Sequence, residues 1–309
     1  MPDSARPAIP SGEQYTIAHE NHRAVVVEVG GGLRTYTADG RDVLDGYAPG
    51  QLCSGGRGQL LAPWPNRVAD GRWEYAGRSM QLALSEPEAG NAIHGLVRWV
   101  SWALEDHASD QVSLSHRLHP QPGWPATLDL RVEYRLTSGG LTVAMEAVNA
   151  GPEPCPYGIG AHPYLTLGTP SVDPLLLELP AGSRLRADER GIPEEILAVA
   201  GSRYDFTTAR AIGADRLDTG FTDLERDADG LARARIATPD GSRHSTLWVD
   251  HAYTHLMVFT GDTLAPQARR RGVAIEPMSC PPNALATGEG LVWLAPGEAH
   301  HARWGIAPG

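Results

Sequence analysis

The chain of 309 residues carries 37 acidic and 26 basic side chains, a net charge of −11, and is 41% hydrophobic. That composition describes a soluble globular protein long enough to bury a large core, and its acidity opposes nucleic-acid binding and attachment to anionic membranes. Every basic residue is Arg and none is Lys, which excludes Schiff-base chemistry, a pyridoxal phosphate anchor and the lysine of a P-loop.

In chain order, residues 1–14 show no periodicity and predict a loose tail ahead of one domain over 15–309. No apolar h-region opens the chain, and no apolar run approaches the roughly 20 residues of a membrane helix, so a cytoplasmic protein is expected. Ala24–Val29 is a strand pattern ending in Gly30-Gly31-Gly32. Arg72–Tyr75 and Arg78–Leu82 flank Ala76-Gly77 as a hairpin. The strongest signal is LDLRVEYRLT-SGG-LTVAMEAVN, where Leu128, Leu130, Val132, Tyr134 and Leu136 alternate with polar residues. The alternation resumes at Leu141, Val143, Met145 and Ala147, giving a hairpin with one buried face. Further strand patterns cover 175–179, 231–238, 245–249, 255–260 and 273–276. With 35 Gly and 25 Pro and few helix-period segments, the reading is an all-β sandwich with few short helices. Cys53, Cys155 and Cys280 form no CxxC pair, so neither a zinc ribbon nor a disulfide framework is expected.

There is no GxSxG, HExxH, GxxxxGK[ST] or helix-opening GxGxxG motif. His251 and His255 lie four apart on a strand-like segment, about 13 Å at the usual rise and too far to share a metal. Neither they nor the pairs His116/His119 and His300/His301 predict a metal site. Three polar groups stand in unusual company. Glu276 sits among Val273, Ile275 and Met278 just before Pro277, which is expected to end ladder pairing. It is either an edge carboxylate facing solvent or a perturbed group at a cleft. His162 lies between Gly160 and Pro163, either a core histidine bonded to backbone or a proton-transfer group. Asn66 and Arg67 in PWPNR, with His94 in NAIHG, either cap turns or bind hydroxyls. Trp64, Trp99 and Trp102 are either core or platforms for a sugar ring.

The ordered set PWPNR (63–67), NAIHG (91–95), PGWPATLDLRVEYRL (122–136), GIGAHPYL (158–165), DTGF (218–221) and AIEPMSCPPNAL (274–285) resembles the aldose 1-epimerases, or galactose mutarotases. The likeness runs from about Tyr15 to Ile306. It implies a large antiparallel β-supersandwich and interconversion of the α and β anomers of free hexoses such as glucose or galactose, with no cofactor. By the resemblance, Glu276 is the catalytic base and His162 the catalytic acid, entering as imidazolium. His94 lies beside the ring oxygen; Arg67, Asp218, Asn66 and Trp64 hold the sugar, with Asp215 and Asp223 as competitors for the place of Asp218. The partner is then a small sugar, and the chain a monomer or homodimer.

Two alternatives remain open from the sequence: a hexose-6-phosphate 1-epimerase and a non-catalytic sugar-binding sandwich. The first needs clustered arginines, and Arg57, Arg72 and Arg98 surround the motifs. At this net charge they read as solvated turn residues.

Overall fold

The computed structural model describes residues 9–309. Two large antiparallel sheets dominate it. The first has nine strands, in the order Ala103–His107, Gln111–Leu118, Leu128–Thr137, Gly140–Asn149, Ala299–Pro308, His244–Val249, Ala232–Ala237, Leu176–Glu178, Arg210–Ala211. The hairpin legible in the sequence forms here in full register, from Leu128 opposite Asn149 to Thr137 opposite Gly140. Its odd and even positions separate into a buried and a partly exposed face, as a period of two requires. The second sheet has eight strands, running Pro193–Ala198, Ala181–Ala187, Asp218–Leu224, His255–Phe259, Val273–Met278, Gly160–Ala161, Leu60–Leu61, with Tyr164–Leu165 also paired to Val273–Met278.

One continuous apolar cluster joins the two sheets, taking Leu130, Val143 and Leu247 from the first and Phe221, Val258 and Ile275 from the second. Burying such a shared face is what makes two sheets one sandwich. Ala284–Thr287 is the single helix among the described residues. No described helix is long and apolar enough to cross a membrane. The three cysteines are buried and free.

Two expectations need correction. The loose tail was expected to extend to residue 14, but its described end is tied down: Ser11 and Glu13 accept hydrogen bonds from the backbone of Val29 and Glu28, and Gln14 opens a strand. The earlier part, 1–8, lies outside the described residues. Pro277, in turn, does not end its strand, which continues to Met278 with Pro277 opposite Leu256. The backbone N–H groups of Ile275 and Ser279 point to Pro163 and Ile159 on the neighbouring segment. The donor that Pro277 lacks therefore falls between them, where that segment breaks at His162-Pro163 between its two short strands.

Candidate functional site

Glu276 and Asp218 reach one place because of strand register. Met257 pairs with Glu276 and Gly220, and Phe259 pairs with Asp218, so alternate positions of three adjacent strands present Asp218, Phe259 and Glu276 on one sheet face. Next to Val273–Met278, the break at 162–163 turns the His162 ring toward the same face. Opposite this floor stands a two-stranded ribbon, Arg67–Ala69 paired with Asn91–Ile93, which contributes Asn66, Arg67 and His94. Between them is a cleft of about 260 Å³ lined by Asn66, Arg67, His94, His162, Asp218 and Glu276.

At the centre, His162 Nε2 stands 3.3 Å from Glu276 Oε1, both side chains nearly sealed from solvent. Burial drives the two groups in opposite directions. It lowers the His162 pKa to about 3 and raises that of Glu276 well above the usual carboxylate range, where Asp218 adds to the rise and Arg67 opposes it. The usual order of the two groups is inverted, and burial favours a neutral pair. Glu276 Oε2 and His162 Nδ1 are buried with no hydrogen-bond partner among the described residues. The imidazole is held by packing: it stacks on Tyr164 at 4.9 Å and 12°, and Gly56, at φ +74°, lies so close that a Cβ there would come within 2.6 Å of the ring.

His94 is fixed differently. It and Asn66 both adopt left-handed backbone conformations, φ 64° and 54°, which Asn and His tolerate better than most side chains. This geometry aims the Asn66 backbone N–H at His94 Nδ1, 3.2 Å away. The acceptor role of Nδ1 leaves the proton of the neutral ring on Nε2, so His94 meets the cleft as a hydrogen-bond donor. Burial, with His162, Arg98 and Arg67 nearby, holds its pKa well below the ordinary value.

Single ligand atoms of His94, His162 and Glu276 lie within 4.8 Å of one another, a spacing a metal ion accepts and one no pair of neighbouring histidines in the sequence suggested. Coordination through His94 Nε2 would require its proton on Nδ1, where the Asn66 N–H stands. The donor set therefore fits a metal poorly.

Arg67 is locked by Glu86, with Nε and Nη2 bonds of 2.9 and 3.1 Å, and its Nη2 lies 3.6 Å from Asp218. Partial burial works against ionisation of Glu86, but its bonds from Arg67 and Asn91 hold its pKa below the usual value; the Asp218 side chain is half exposed in the cleft. Sequence reasoning missed Glu86. Only the need of a part-buried guanidinium for a bidentate partner pointed to it, and nothing in the spacing said which acid. Of the competitors, Asp215 is bound to Arg210 at 3.0 Å and Asp223 is exposed; neither lines the cleft.

Trp64 is a correction. It is 2% exposed, packs against Trp124 at 6.4 Å and does not line the cleft, because the PWP segment folds its indole into the aromatic core. Trp102 is core as well, whereas Trp99 lies on the cleft wall and is 51% exposed. Nor are the three arginines alike: Arg72 is exposed, but Arg57 is buried against Asp45, and Arg98 lines the cleft.

Similarity to known proteins agrees with this architecture. The chain is 34% identical over 297 residues to the uncharacterized Escherichia coli protein YihR, covering 96% of this chain and 93% of that one. It superposes on the crystal structure of a GalM/aldose epimerase homologue from C. elegans with a TM-score of 0.86, at 17% identity, covering 96% and 98% of the two chains. It also matches galactose 1-epimerase from Lactobacillus acidophilus with a TM-score of 0.80, at 21% identity, covering 95% and 93%. The family model for aldose 1-epimerase matches residues 13–306, and the chain belongs to that family.

Proposed function

We propose that the protein is an aldose 1-epimerase that interconverts the anomers of a free aldose by acid–base ring opening. The observation that carries this reading is the buried Glu276–His162 contact of 3.3 Å with its inverted proton affinities. A pair of groups pushed in opposite directions is the arrangement expected of a proton donor and acceptor working on one substrate. The carboxylate of Glu276 takes the proton of the C1 hydroxyl. The bond from C1 to the ring oxygen breaks, and that oxygen receives a proton from the His162 imidazolium. C1 becomes an aldehyde and both protein groups are neutral. Rotation about the C1–C2 bond and the reverse transfers close the other anomer. The neutral pair that burial favours is the state that ring opening leaves, so the environment stabilises the ring-opened intermediate. His94 Nε2–H donates toward the ring oxygen, while Arg67 and Asp218 hold hydroxyls and fix the ring.

Each group is expected to contribute about 10²–10⁴-fold. The test is polarimetry on freshly dissolved α-D-glucose and α-D-galactose: decay faster than background to the same final rotation supports the reading. Background decay for these and for charged aldoses overturns it.

The pH profile follows from counting protons. Catalysis needs one proton shared by the pair; two leave no base, none leaves no acid. His162 accepts the second only near its lowered pKa of about 3, and Glu276 gives up the last only well above the carboxylate range. The enzymic part of the rate is therefore expected to stay flat through neutrality and fall on the alkaline side. A profile falling from pH 7 toward 5 contradicts this protonation scheme. Arg67→Lys cannot reproduce the two bonds to Glu86, so KM is expected to rise about tenfold with a smaller change in kcat.

A further inference from the structure

We propose that Asn283 is a positioning residue for the reaction: it fixes the ribbon that carries Arg67 and His94 at its working distance from Glu276. The inference rests on the reading above and adds to it a residue that does not itself line the cleft. Asn283 occupies the cap position of the short helix Ala284–Thr287, where an Asn side chain normally accepts a hydrogen bond from the first turn. Here the side chain makes no such bond, and the backbone is left-handed, at φ 68°. A local cost of this kind persists only where surrounding contacts require it.

Those contacts are with the ribbon. The Asn283 backbone N–H donates to the Arg67 carbonyl at 2.6 Å, and its Oδ1 accepts from the Ala69 N–H at 3.0 Å, a bond between residues 214 apart in sequence. These are the two bonds that a residue of a neighbouring parallel strand would make opposite Val68, with the amide oxygen standing in for a backbone carbonyl. The ribbon needs such support, because Arg67–Ala69 and Asn91–Ile93 are two strands of three residues, too short to hold their place by pairing alone. Arg190 pins the approach to the second strand through the Ala89 and Gly90 carbonyls, and Asn283 anchors the strand that bears Arg67. At the end of the ribbon, Asn66 and His94 are joined by reciprocal bonds. The His94 backbone N–H donates to the Asn66 carbonyl at 2.9 Å and the Asn66 N–H to His94 Nδ1 at 3.2 Å, so the anchor also serves the ring.

The other end of the anchor gives it a catalytic consequence. Glu276 stands seven residues earlier (283 − 276). Between them, Ser279 donates its N–H to the Ile159 carbonyl and accepts the Ile159 N–H on Oγ, both at 2.8 Å, and Ile159 leads through Gly160 and Ala161 to His162. The stretch 276–283 therefore bears the base, grips the segment of His162 and, through Asn283, grips the segment of Arg67 and His94. Groups that act on one substrate must keep a fixed separation, and an error of about 1 Å can cost about 10²-fold in rate.

The test is Asn283→Gly, which keeps the backbone bond to Arg67 and the positive φ at no steric cost but deletes the bond to Ala69. With glucose anomer exchange followed by NMR saturation transfer, kcat/KM is expected to fall about 10- to 100-fold. KM rises as well as kcat falling, because one anchor serves both Arg67 and His94. A purely structural loss lowers the folded fraction, and so the apparent kcat, but leaves KM in place. In long-range proton–nitrogen spectra, the His94 ring is expected to leave the single Nε2–H form as the Asn66 N–H moves off Nδ1. Asn283→Asp keeps an acceptor oxygen and tolerates a left-handed backbone, and is expected to recover most of the loss. Wild-type KM and an unchanged His94 ring in Asn283→Gly overturn the proposal, as does an Asn283→Asp no better than Asn283→Gly. If the wild type anomerises no aldose, the epimerase reading fails by itself. The His94 spectrum and the calorimetric affinity for glucose then decide the rest: both unchanged in Asn283→Gly remove the positioning role, and either one altered keeps it.

Discussion

Glu276→Gln is expected to reduce the enzymic anomerisation rate about 10²–10⁴-fold, the range of a lost proton-transfer group, without lowering Tm. The carboxyl is 2% exposed, and burial raises its pKa well above the carboxylate range. Its ionised form thus burdens the fold, and an amide of the same shape carries no charge to desolvate. Polarimetry and thermal melting of one sample separate the two effects. An active variant removes Glu276 as the base. An inactive variant with Tm well below wild type reports a packing role instead.

Asp45→Asn is expected to cost about 3–5 kcal/mol of stability, because it leaves a buried guanidinium without its counter-charge. Asp45 accepts from Arg57 Nη2 at 3.1 Å with both side chains buried, and from Arg271 at 2.8 Å. The Arg57 guanidinium lies over the Tyr164 ring at 4.6 Å, and the same ring stacks on His162 at 4.9 Å. Loosening Arg57 therefore reaches the His162 imidazole through one stacked ring, so kcat is expected to fall along with the urea midpoint. In the double variant Asp45→Leu/Arg57→Met both charges are gone, and most of the stability is expected to return, since apolar residues of similar volume replace buried ion pairs at little cost. A single variant within about 1 kcal/mol of wild type means that the pair is weakly coupled to the fold, as surface pairs are.

Much of the strand content is local and was therefore legible. Leu128–Thr137 and Gly140–Asn149 could be placed to within one residue, Gly140 belonging to the strand rather than the turn, because a period of two with a Gly turn is written in consecutive positions. The order of the sheets was not legible, since nothing near residue 141 says that its second neighbour is Ala299–Pro308. Among the site residues, His162 and Glu276 could be singled out because each stands among apolar, Gly and Pro neighbours that no surface loop requires. Trp64 misled, because an indole suits a sugar ring and a core equally well and only packing against Trp124 decides between them. Glu86 and the Asn66 contact to His94 were invisible for another reason. Both join segments 19 or more residues apart, and the second depends on two left-handed backbone conformations.

The sequence by itself determined the class of structure, the absence of lysine chemistry, and which polar side chains the chain carries in apolar surroundings. Composition and short-range periodicity are local quantities, and they suffice for that. The tertiary structure alone decided that Glu276 and His162 touch, that their proton affinities are inverted, and that His94 is held as a donor. Those are properties of distance and desolvation between groups up to 182 residues apart in sequence (276 − 94), set by how two sheets and one ribbon close over a common cleft.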